Sequence, residues 1–326
     1  MKNFQIIKAL SSSSAVASST KDSSVMFIAG GTNLVDLMKK NVVAPDKLID
    51  INSLDLKKIE FLKGKTAIGA LAKNSQVAED SSIKEKHPLL ALALAAGASQ
   101  QIRHMATVGG NMLQRTRCSY FYNTDMPCNK RVPKSGCGAI GGVNRMHAVF
   151  GASDSCIAVH PSDMCVALAA LDATVLVEGP KGKRQINFTD FHRLPGNSPE
   201  KDNTLENREL ITHVEIPDHN FTKNVHYLKV RDRSSYAFAL VSVAVALDLK
   251  NNTIQDVRLA MGGVAHKPWR LTETEEFLKG KTVSEETFRQ AGNLSMKGAR
   301  GYGGNDFKLI LGTNAITEAL TIAASK

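Results

Sequence analysis

The sequence predicts an α+β protein of two domains, with residues 1–220 in the first domain and residues 224–326 in the second. Three observations lead to this prediction. Strand and helix patterns alternate through the first 62 residues. Apolar, β-branched runs typical of one antiparallel sheet follow residue 224. Between residues 114 and 155 the apolar periodicity disappears, and the cysteines in this stretch indicate a functional segment.

In the first domain, short apolar runs predict strands and apolar residues at helical spacing predict helices. The Ala- and Leu-rich stretch at residues 89–103 has only Gly97 as a breaker, which predicts one buried helix. The Ser-rich segment at residues 11–20 is interpreted as a polar surface helix or loop. The other predicted elements are strands at residues 4–7, 25–29, 47–51 and 66–68, a helix at residues 34–40, and a helix followed by a strand at residues 166–177.

The second domain is predicted to pair its strands around a turn at Asn251 and Asn252. A polar linker at residues 217–224 precedes it, and we place the domain boundary at residues 218–224. Its predicted strands lie at residues 227–230, 238–249 and 257–261, and its predicted helices lie at residues 273–279, 284–291 and 314–325.

The chain is basic, with 41 Lys and Arg against 31 Asp and Glu and a net charge of +10. It contains no helix-turn-helix pattern, no RNP aromatic motif and no block of five Lys or Arg, so nucleic-acid binding is not expected. A phosphate-bearing cofactor or an acidic partner protein accounts for the charge equally well. Its apolar stretches are too short to span a bilayer, and no secretory signal is visible at Met1.

Two segments, residues 27–34 and residues 107–111, place a pair of glycines beside a hydroxyl and an amide side chain. Glycine permits positive φ and lets backbone N–H groups approach an anion closely. In the first segment Thr32 or Asn33 is expected to cap the following helix, whose N-terminus favours negative charge. A cofactor pyrophosphate fits such turns. The alternative is a tight connection without a ligand, because neither segment is a Gly-x-Gly-x-x-Gly or Walker motif.

All five cysteines lie between positions 118 and 165, and no Cys-x-x-Cys occurs. Four thiolates in a segment without regular structure suit a [4Fe–4S] cluster, which tolerates varied ligand spacing. Zinc and structural or redox thiols remain alternatives. Arg115, Arg117, Lys130, Arg131 and Lys134 are expected to offset the negative charge of a cluster. Cys165 begins an apolar run and is interpreted as a packed free thiol.

Three motifs occur in a fixed order: Ala-Gly-Gly-Thr-Asn-Leu at residues 29–34, Ala-Thr-Val-Gly-Gly-Asn at residues 106–111 and His-Pro-Ser-Asp at residues 160–163. They resemble the FAD-binding medium subunits of the xanthine dehydrogenase and aldehyde oxidoreductase family. Residues 229–233 and 262–270 extend the likeness into the second domain. The resemblance implies a PCMH-type (vanillyl-alcohol-oxidase-like) FAD-binding domain of two α/β subdomains, followed by a C-terminal α+β domain like that of the CO dehydrogenase flavoprotein.

The cysteine-bearing insertion at residues 114–156 resembles that of the bacterial periplasmic aldehyde oxidoreductases, whose flavin subunit also holds a [4Fe–4S] cluster. The resemblance implies that Cys118, Cys128, Cys137 and Cys156 are the cluster ligands. Because the surrounding loop is basic, we hypothesise that the cluster influences the choice of electron acceptor.

By position, the resemblance also implies that residues 26–34 surround the FAD pyrophosphate and that Asp163 lies near the ribose or a ring edge. The alternative for Asp163 is a helix cap shared with Ser162, and the alternative for Lys229 is a solvated strand face. The implied FAD-binding residues are Met26, Phe27, Ile28, Ala29, Gly30, Gly31, Thr32, Asn33, Leu34, Thr107, Gly110, Asp163, Glu209 and Lys229.

The resemblance implies an electron-transfer subunit without catalytic residues of its own. A large partner with a molybdenum–pterin centre would oxidise an aldehyde with water to a carboxylic acid, and a small partner would pass electrons through two [2Fe–2S] clusters to FAD and an external acceptor. The expected heterotrimer is periplasmic, exported as a folded complex through a partner's signal, with the cytoplasm as the alternative. Two other functions remain open: a stand-alone flavin reductase of the same fold and a zinc-stabilised, non-enzymatic binding scaffold.

Overall fold

A computed structural model describes residues 1–19 and 24–326. Its strands are β1 Gln5–Lys8, β2 Val25–Ile28, β3 Lys47–Asp50, β4 Ile59–Leu62, β5 Lys65–Gly69, β6 Thr174–Gly179, β7 Gly182–Asn187, β8 Leu210–Pro217, β9 Val225–Val230, β10 Val241–Lys250, β11 Thr253–Gly262 and β12 Trp269–Arg270. Its helices are α1 Ser12–Ser18, α2 Leu34–Lys39, α3 Asn74–Glu79, α4 Ser81–Lys86, α5 Pro88–Ala96, α6 Gln100–Met105, α7 Val108–Met112, α8 Ser119–Tyr122, α9 Asp163–Ala170, α10 Phe188–Phe191, α11 Thr272–Leu278, α12 Glu285–Ser295 and α13 Phe307–Ala324.

The first sheet is parallel, with strand order β1-β3-β2. Parallel strands need crossover connections, and α1 and α2 lie in the two crossovers. Both β2 and β3 end beside each other, because Ile28 pairs with Asp50. The turn that follows β2 therefore lies at the carboxyl edge of this sheet, where open α/β sheets bind ligands.

The second sheet is antiparallel, with strand order β4-β5-β8-β6-β7. Helices α5 and α9 pack against each other, and α9 is buried along its whole length. The largest apolar core contains both helices together with the inner face of this sheet. It also takes Tyr227, Ala244 and Ala260 from the third sheet, so this core crosses residue 220. The domain boundary at residues 218–224 stays a prediction.

The third sheet is antiparallel, with strand order β12-β11-β10-β9. Asn251 and Asn252 connect β10 to β11 with φ values of 49° and 60°, the left-handed conformation that two-residue hairpin turns require. Helix α13 packs on β9 and β10, and α12 packs on α13, which encloses a second core. Most predicted strands and helices are thereby confirmed within a few residues.

Four differences from the sequence prediction have local causes. The helix predicted at residues 89–103 is two helices, because Gly97 is extended, Ala98 has a φ of 51° and Ser99 caps α6. The Ser-rich segment forms α1 and buries Ala15 and Val16, although its predicted last residue, Thr20, lies outside the described part of the chain. Helix α13 begins at residue 307, seven residues before its predicted start. Strands β4 and β7 were not predicted; both are mostly exposed edge strands, and β7 has one apolar side chain, Ile186.

Within the described residues, no helix combines the length and the apolar character needed to cross a membrane.

Candidate functional site

The first diglycine turn connects β2 to α2. Gly31 has a φ of 71°, which glycine adopts without strain. Gly30 packs closely on Met105, which lies just before the second turn. A Cβ atom at position 30 would lie 2.0 Å from the carbonyl oxygen of Met105. The backbone N–H groups of residues 31–34 have no acceptor among the described residues, as expected at the first turn of a helix. The turn therefore presents unpaired backbone N–H donors, and its two glycines add no side chains in front of them.

The second diglycine turn is α7, which begins after a strand-like bridge between Lys73 and Thr107. The Thr107 hydroxyl caps this helix by accepting from the Gly110 N–H group at 3.3 Å. Gly109 packs against Ala70, where a Cβ atom would lie 3.0 Å from the Ala70 Cβ. This turn is consequently held against the second sheet, while the first turn belongs to the parallel sheet.

Both turns line one cavity of about 200 Å³. Asn33 connects the first turn to the segment that follows α7, because its Oδ1 accepts from the Arg115 N–H group at 2.9 Å. Asn33 lies at the start of α2, but its side chain makes no capping hydrogen bond, so the predicted cap by this residue is wrong. Twelve of the fourteen predicted FAD-binding residues line the cavity: Met26, Phe27, Ile28, Ala29, Gly30, Gly31, Thr32, Asn33, Leu34, Thr107, Gly110 and Glu209.

Glu209 reaches the cavity edge, yet its carboxylate has protein partners. Arg184 donates to both of its oxygens, at 2.6 and 2.7 Å, and the Glu206 N–H group donates to Oε2 at 2.6 Å. The side chain is 7% exposed. These bonds connect the loop before β8 to β7, and Glu209 lines the cavity together with Leu210 and Ile211 of β8.

Asp163 and Lys229 form a buried ion pair instead. Lys229 Nζ donates to Asp163 Oδ2 at 2.7 Å and to the Ala96 carbonyl at 3.0 Å. The side chain of Lys229 is 4% exposed and that of Asp163 is 8% exposed, which excludes the solvated strand face for Lys229. The Tyr227 hydroxyl donates to the other oxygen of Asp163 at 2.7 Å. Ser162 caps α9 by itself, so the capping role proposed as an alternative for Asp163 is filled by its neighbour.

Asp163 lines a second cavity, of about 230 Å³, together with Arg117, Cys118 and His147. Residues 110–117 contribute to both cavities: Gly110 and Arg115 line the first, and Thr116 and Arg117 line the second. The Ser162 hydroxyl donates to Asn111 Oδ1 at 2.6 Å, which fixes α7 to the start of α9.

The four predicted cluster ligands, Cys118, Cys128, Cys137 and Cys156, line a third and enclosed space. Around it, Cys128 pairs with Cys137 and Cys156 pairs with Ser153 in isolated bridges. Tyr120, Phe121 and Pro127 form its apolar wall. The segment between residues 114 and 156 has one four-residue helix, α8, so its irregular character was predicted correctly.

Among the described residues, no three of the four sulfur atoms lie within 4.8 Å of one another, as three ligands of a single ion would. Zinc with Zn–S bonds of about 2.3 Å places its sulfur ligands about 3.8 Å apart. Among residues 1–19 and 24–326, three ligand atoms come within 4.8 Å of one another only at His160, Cys165 and His192. A cluster separates its ligands further, because each thiolate binds a different iron atom.

The thiols differ in how easily they ionise. A hydrogen bond between Cys156 and Cys137 lowers the pKa of Cys137 and raises that of Cys156, since the two share one proton. Burial raises the pKa of Cys118 to about 11. Metal binding must displace the protons of all four thiols.

Cys165 is a fully buried free thiol, as predicted, and does not line the space between the other four. Burial raises its pKa to about 12. The neighbouring His160 and His192 both direct Nε2 at the Met112 carbonyl, at 3.4 and 2.9 Å. Burial lowers the pKa of both imidazoles, so they are neutral donors to this carbonyl.

The basic residues near the cysteines were predicted to offset the negative charge of a cluster, but several of them bind other protein groups. Lys130 is buried beside Cys156 and contacts Asp202 at 2.5 Å, and Arg115 donates to the other oxygen of Asp202 at 2.6 Å. These two cations hold the pKa of the largely buried Asp202 at about 2, against its burial. Arg131 donates to the Tyr120 and Phe121 carbonyls at 2.8 and 2.9 Å, so it organises the loop.

Sequence reasoning missed the residues that support the cysteines from a distance along the chain. His147 and His266 contact two of the sulfur atoms, and Lys308 is fully buried beneath His147. In the sequence, these residues are marked only by being polar within an otherwise apolar stretch. That signal does not identify a partner 29 or 110 positions away.

Comparison with known proteins places this geometry in a family. Residues 2–219 match the family described as the FAD binding domain in molybdopterin dehydrogenase, and residues 226–300 match the CO dehydrogenase flavoprotein C-terminal domain. The chain is 44% identical over 329 residues to the aldehyde oxidoreductase FAD-binding subunit PaoB of Escherichia coli (strain K12), with full coverage of both chains.

Two more distant proteins are also similar to this chain. The chain is 30% identical over 260 residues to the glyceraldehyde dehydrogenase medium chain of Sulfolobus acidocaldarius, which covers 79% of this chain and 75% of the relative. Its fold matches a chain of the Cu,Mo-CO dehydrogenase with a TM-score of 0.79 at 19% identity, over all of this chain and 98% of the other. The predicted fold class is confirmed. The chain therefore belongs to the FAD-binding medium subunits of the molybdenum hydroxylases, a family of oxidoreductases.

Proposed function

We propose that this chain is the FAD- and [4Fe–4S]-containing electron-transfer subunit of a molybdenum-dependent aldehyde oxidoreductase. The observation that supports this function most is the combination of one cavity lined by both diglycine turns with full-length similarity to an aldehyde oxidoreductase FAD-binding subunit. Aldehyde oxidation to a carboxylic acid takes place on a partner, and this chain passes the electrons to an external acceptor.

The chain's own residues bind and orient the flavin. Backbone N–H groups of residues 31–34 provide donors for the pyrophosphate, and the glycines of both turns leave room for it. The N–H groups of Val108, Gly109 and Gly110 already donate within the protein, so the second turn contributes space rather than donors. Asp163 is held rigidly by Lys229 and Tyr227 at the second cavity, so its carboxylate can fix one edge of the cofactor. Bound FAD supplies the exchange between one-electron and two-electron transfer.

Cys118, Cys128, Cys137 and Cys156 would hold the [4Fe–4S] cluster. Three features support this assignment over zinc: no three of the sulfur atoms lie within 4.8 Å of one another, the wall is apolar, and the buried cation Lys130 offsets negative charge. Cys118 lines both the cysteine space and the cavity beside Asp163, so the two cofactors would be neighbours.

Its partners in this proposal are a large molybdenum–pterin subunit and a small subunit with [2Fe–2S] clusters, joined in a heterotrimer. Two relatives are an FAD-binding subunit and a medium chain, which supports a multi-subunit complex. We place the complex in the periplasm, with the cytoplasm as the alternative. Cell fractionation of the producing organism, followed by detection of this chain, decides between the two.

Analysis of the natively assembled protein, isolated without air, tests the proposal. One FAD, four iron atoms and four acid-labile sulfides per chain are expected. Flavin without iron or sulfide, together with turnover of a pyridine nucleotide by the isolated chain, would support a stand-alone flavin reductase. A colourless protein with zinc would support a binding scaffold. Either result removes the proposed function.

A further inference from the structure

Two buried histidines contact the sulfur atoms of two cysteines. His147 Nε2 lies 3.1 Å from Cys118 Sγ, and His266 Nε2 lies 3.3 Å from Cys156 Sγ. The histidines are 5% and 7% exposed. Both distances are within hydrogen-bonding range for sulfur.

The direction of these hydrogen bonds follows from chemistry. A thiolate bound to a metal has no proton and can only accept. The facing Nε2 must therefore bear the hydrogen of the imidazole. In both histidines Nδ1 has no hydrogen-bond partner among the described residues. Among the described residues, each imidazole therefore makes a single hydrogen bond, from Nε2 to a cysteine sulfur atom.

Both rings are placed by the C-terminal part of the chain. The His147 carbonyl accepts from Lys308 Nζ at 2.9 Å and from Asn305 Nδ2 at 3.2 Å, and both donors lie at the start of α13. His266 lies in the connection from β11 to β12, where the neighbouring Ala265 carbonyl accepts from the His160 N–H group at 2.9 Å. The histidines are therefore fixed by backbone contacts that do not involve the cysteines.

We propose that His147 and His266 are positioning residues that donate N–H···S hydrogen bonds to Cys118 and Cys156 and thereby raise the reduction potential of the cluster. This inference rests on the proposed [4Fe–4S] site. Donors to the sulfur ligands stabilise the reduced cluster more than the oxidised one, because reduction adds negative charge to the sulfur atoms. The effect makes the cluster easier to reduce.

Redox titration of the assembled complex, followed by electron paramagnetic resonance, tests the inference. His147→Leu and His266→Leu remove the donor, and each is expected to lower the equilibrium constant for cluster reduction about tenfold, which corresponds to about 59 mV for one electron. His147→Gln and His266→Gln keep an N–H group at a similar reach and are expected to recover at least half of the shift. His87→Gln is the matched control, since this buried histidine contacts Thr66 and His219 instead. Its cluster potential is expected to stay at the wild-type value.

A measurement on the unmodified sequence covers the case in which a variant loses its cluster. In protein labelled with ¹⁵N-histidine, electron–nuclear double resonance of the reduced cluster is expected to detect two histidine nitrogens. Absence of this coupling, or equal potentials in the wild type and either Leu variant, would overturn the inference. Absence of iron and sulfide from the wild type would instead overturn the proposed function.

Discussion

The flavin cavity and the cysteine segment are built in different ways. Strand ends, two short helices and a buried ion pair form the walls near the flavin cavity, and their backbone groups are mostly paired within sheets. The cysteine segment has one helical turn and depends on side chains that donate to backbone carbonyls, such as Arg131. The first region is organised by the cores of the protein, whereas the proposed cluster would add bonds from the cysteines to iron in the second.

This difference predicts how each region responds when its cofactor is removed. Apolar burial and sheet hydrogen bonds maintain the flavin cavity whether or not a ligand is bound. Metal binding to four thiolates organises a loop because the binding free energy is also folding free energy. The following four predictions test that contrast, in order of decreasing expected effect.

Cys128→Ser is expected to remove the cluster from nearly all molecules, because serine is a poor ligand for iron. Iron and acid-labile sulfide per flavin should fall to near zero, while flavin per chain stays close to the wild-type value. Limited proteolysis should then cut within residues 114–156. The matched control is Cys165→Ala, which removes a buried thiol outside the cysteine space and should leave iron bound.

Equal loss of flavin and iron from Cys128→Ser would show that the two regions fold as one unit and would end the comparison. The same variant tests whether the cluster influences acceptor choice. If the complex assembles and all acceptors react at the original rates, that hypothesis is wrong.

Asp163→Asn is expected to lower the free energy of unfolding by about 3 kcal/mol, because it leaves the ammonium group of Lys229 buried without its counter-charge. Urea unfolding measures this change. The double variant Asp163→Asn/Lys229→Met should recover part of the loss. Asp55→Asn, which breaks an exposed pair with Lys58, should change stability by less than about 1 kcal/mol, and a loss as large as that of Asp163→Asn would contradict the role of burial.

Gly30→Ala is expected to weaken FAD binding about tenfold, because the added methyl group overlaps the Met105 carbonyl and separates the two turns. Fluorescence titration of flavin-depleted protein measures the dissociation constant. Iron content should not change. The control is Gly64→Asn: a Cβ there meets nothing within 4 Å, and asparagine tolerates its φ of 82°. Unchanged affinity in Gly30→Ala would mean that contact between the turns is not needed.

The smallest predicted effect concerns pH. Burial lowers the pKa of Lys308 from 10.5 to about 7. The unfolded chain therefore binds more protons than the folded chain between these values, so stability rises with pH in this window and is lost as pH falls towards 7. From pH 7 to pH 8 the free energy of unfolding should rise by about 1 kcal/mol.

Urea unfolding of the assembled protein at both pH values measures that slope. Lys308→Met should remove it, although the variant is also less stable because two buried carbonyls lose their donor. The same slope in wild type and variant would assign the pH dependence to other groups.

Local patterns in the sequence were sufficient for much of the fold. The β2 turn, the β10–β11 hairpin and the helices around residues 166 and 285 depend on short-range chemistry: glycine at a positive φ, paired asparagines and apolar spacing. The helix predicted across Gly97 failed, since helix propensity alone does not show that Ala98 turns the chain. Edge strands such as β7 also lacked a signal, because solvent-exposed strands need no apolar residues.

The sequence by itself determined which residues have the chemistry for phosphate and metal binding: two glycine pairs and four clustered cysteines. Only the tertiary structure decided that both glycine pairs line one cavity, that Asp163 pairs with Lys229, and that His147 and His266 contact cysteine sulfur atoms. The physical reason is range. A turn is specified by the residues within it, whereas a buried pair between residues 66 or 110 positions apart exists only after the cores have brought separate elements together.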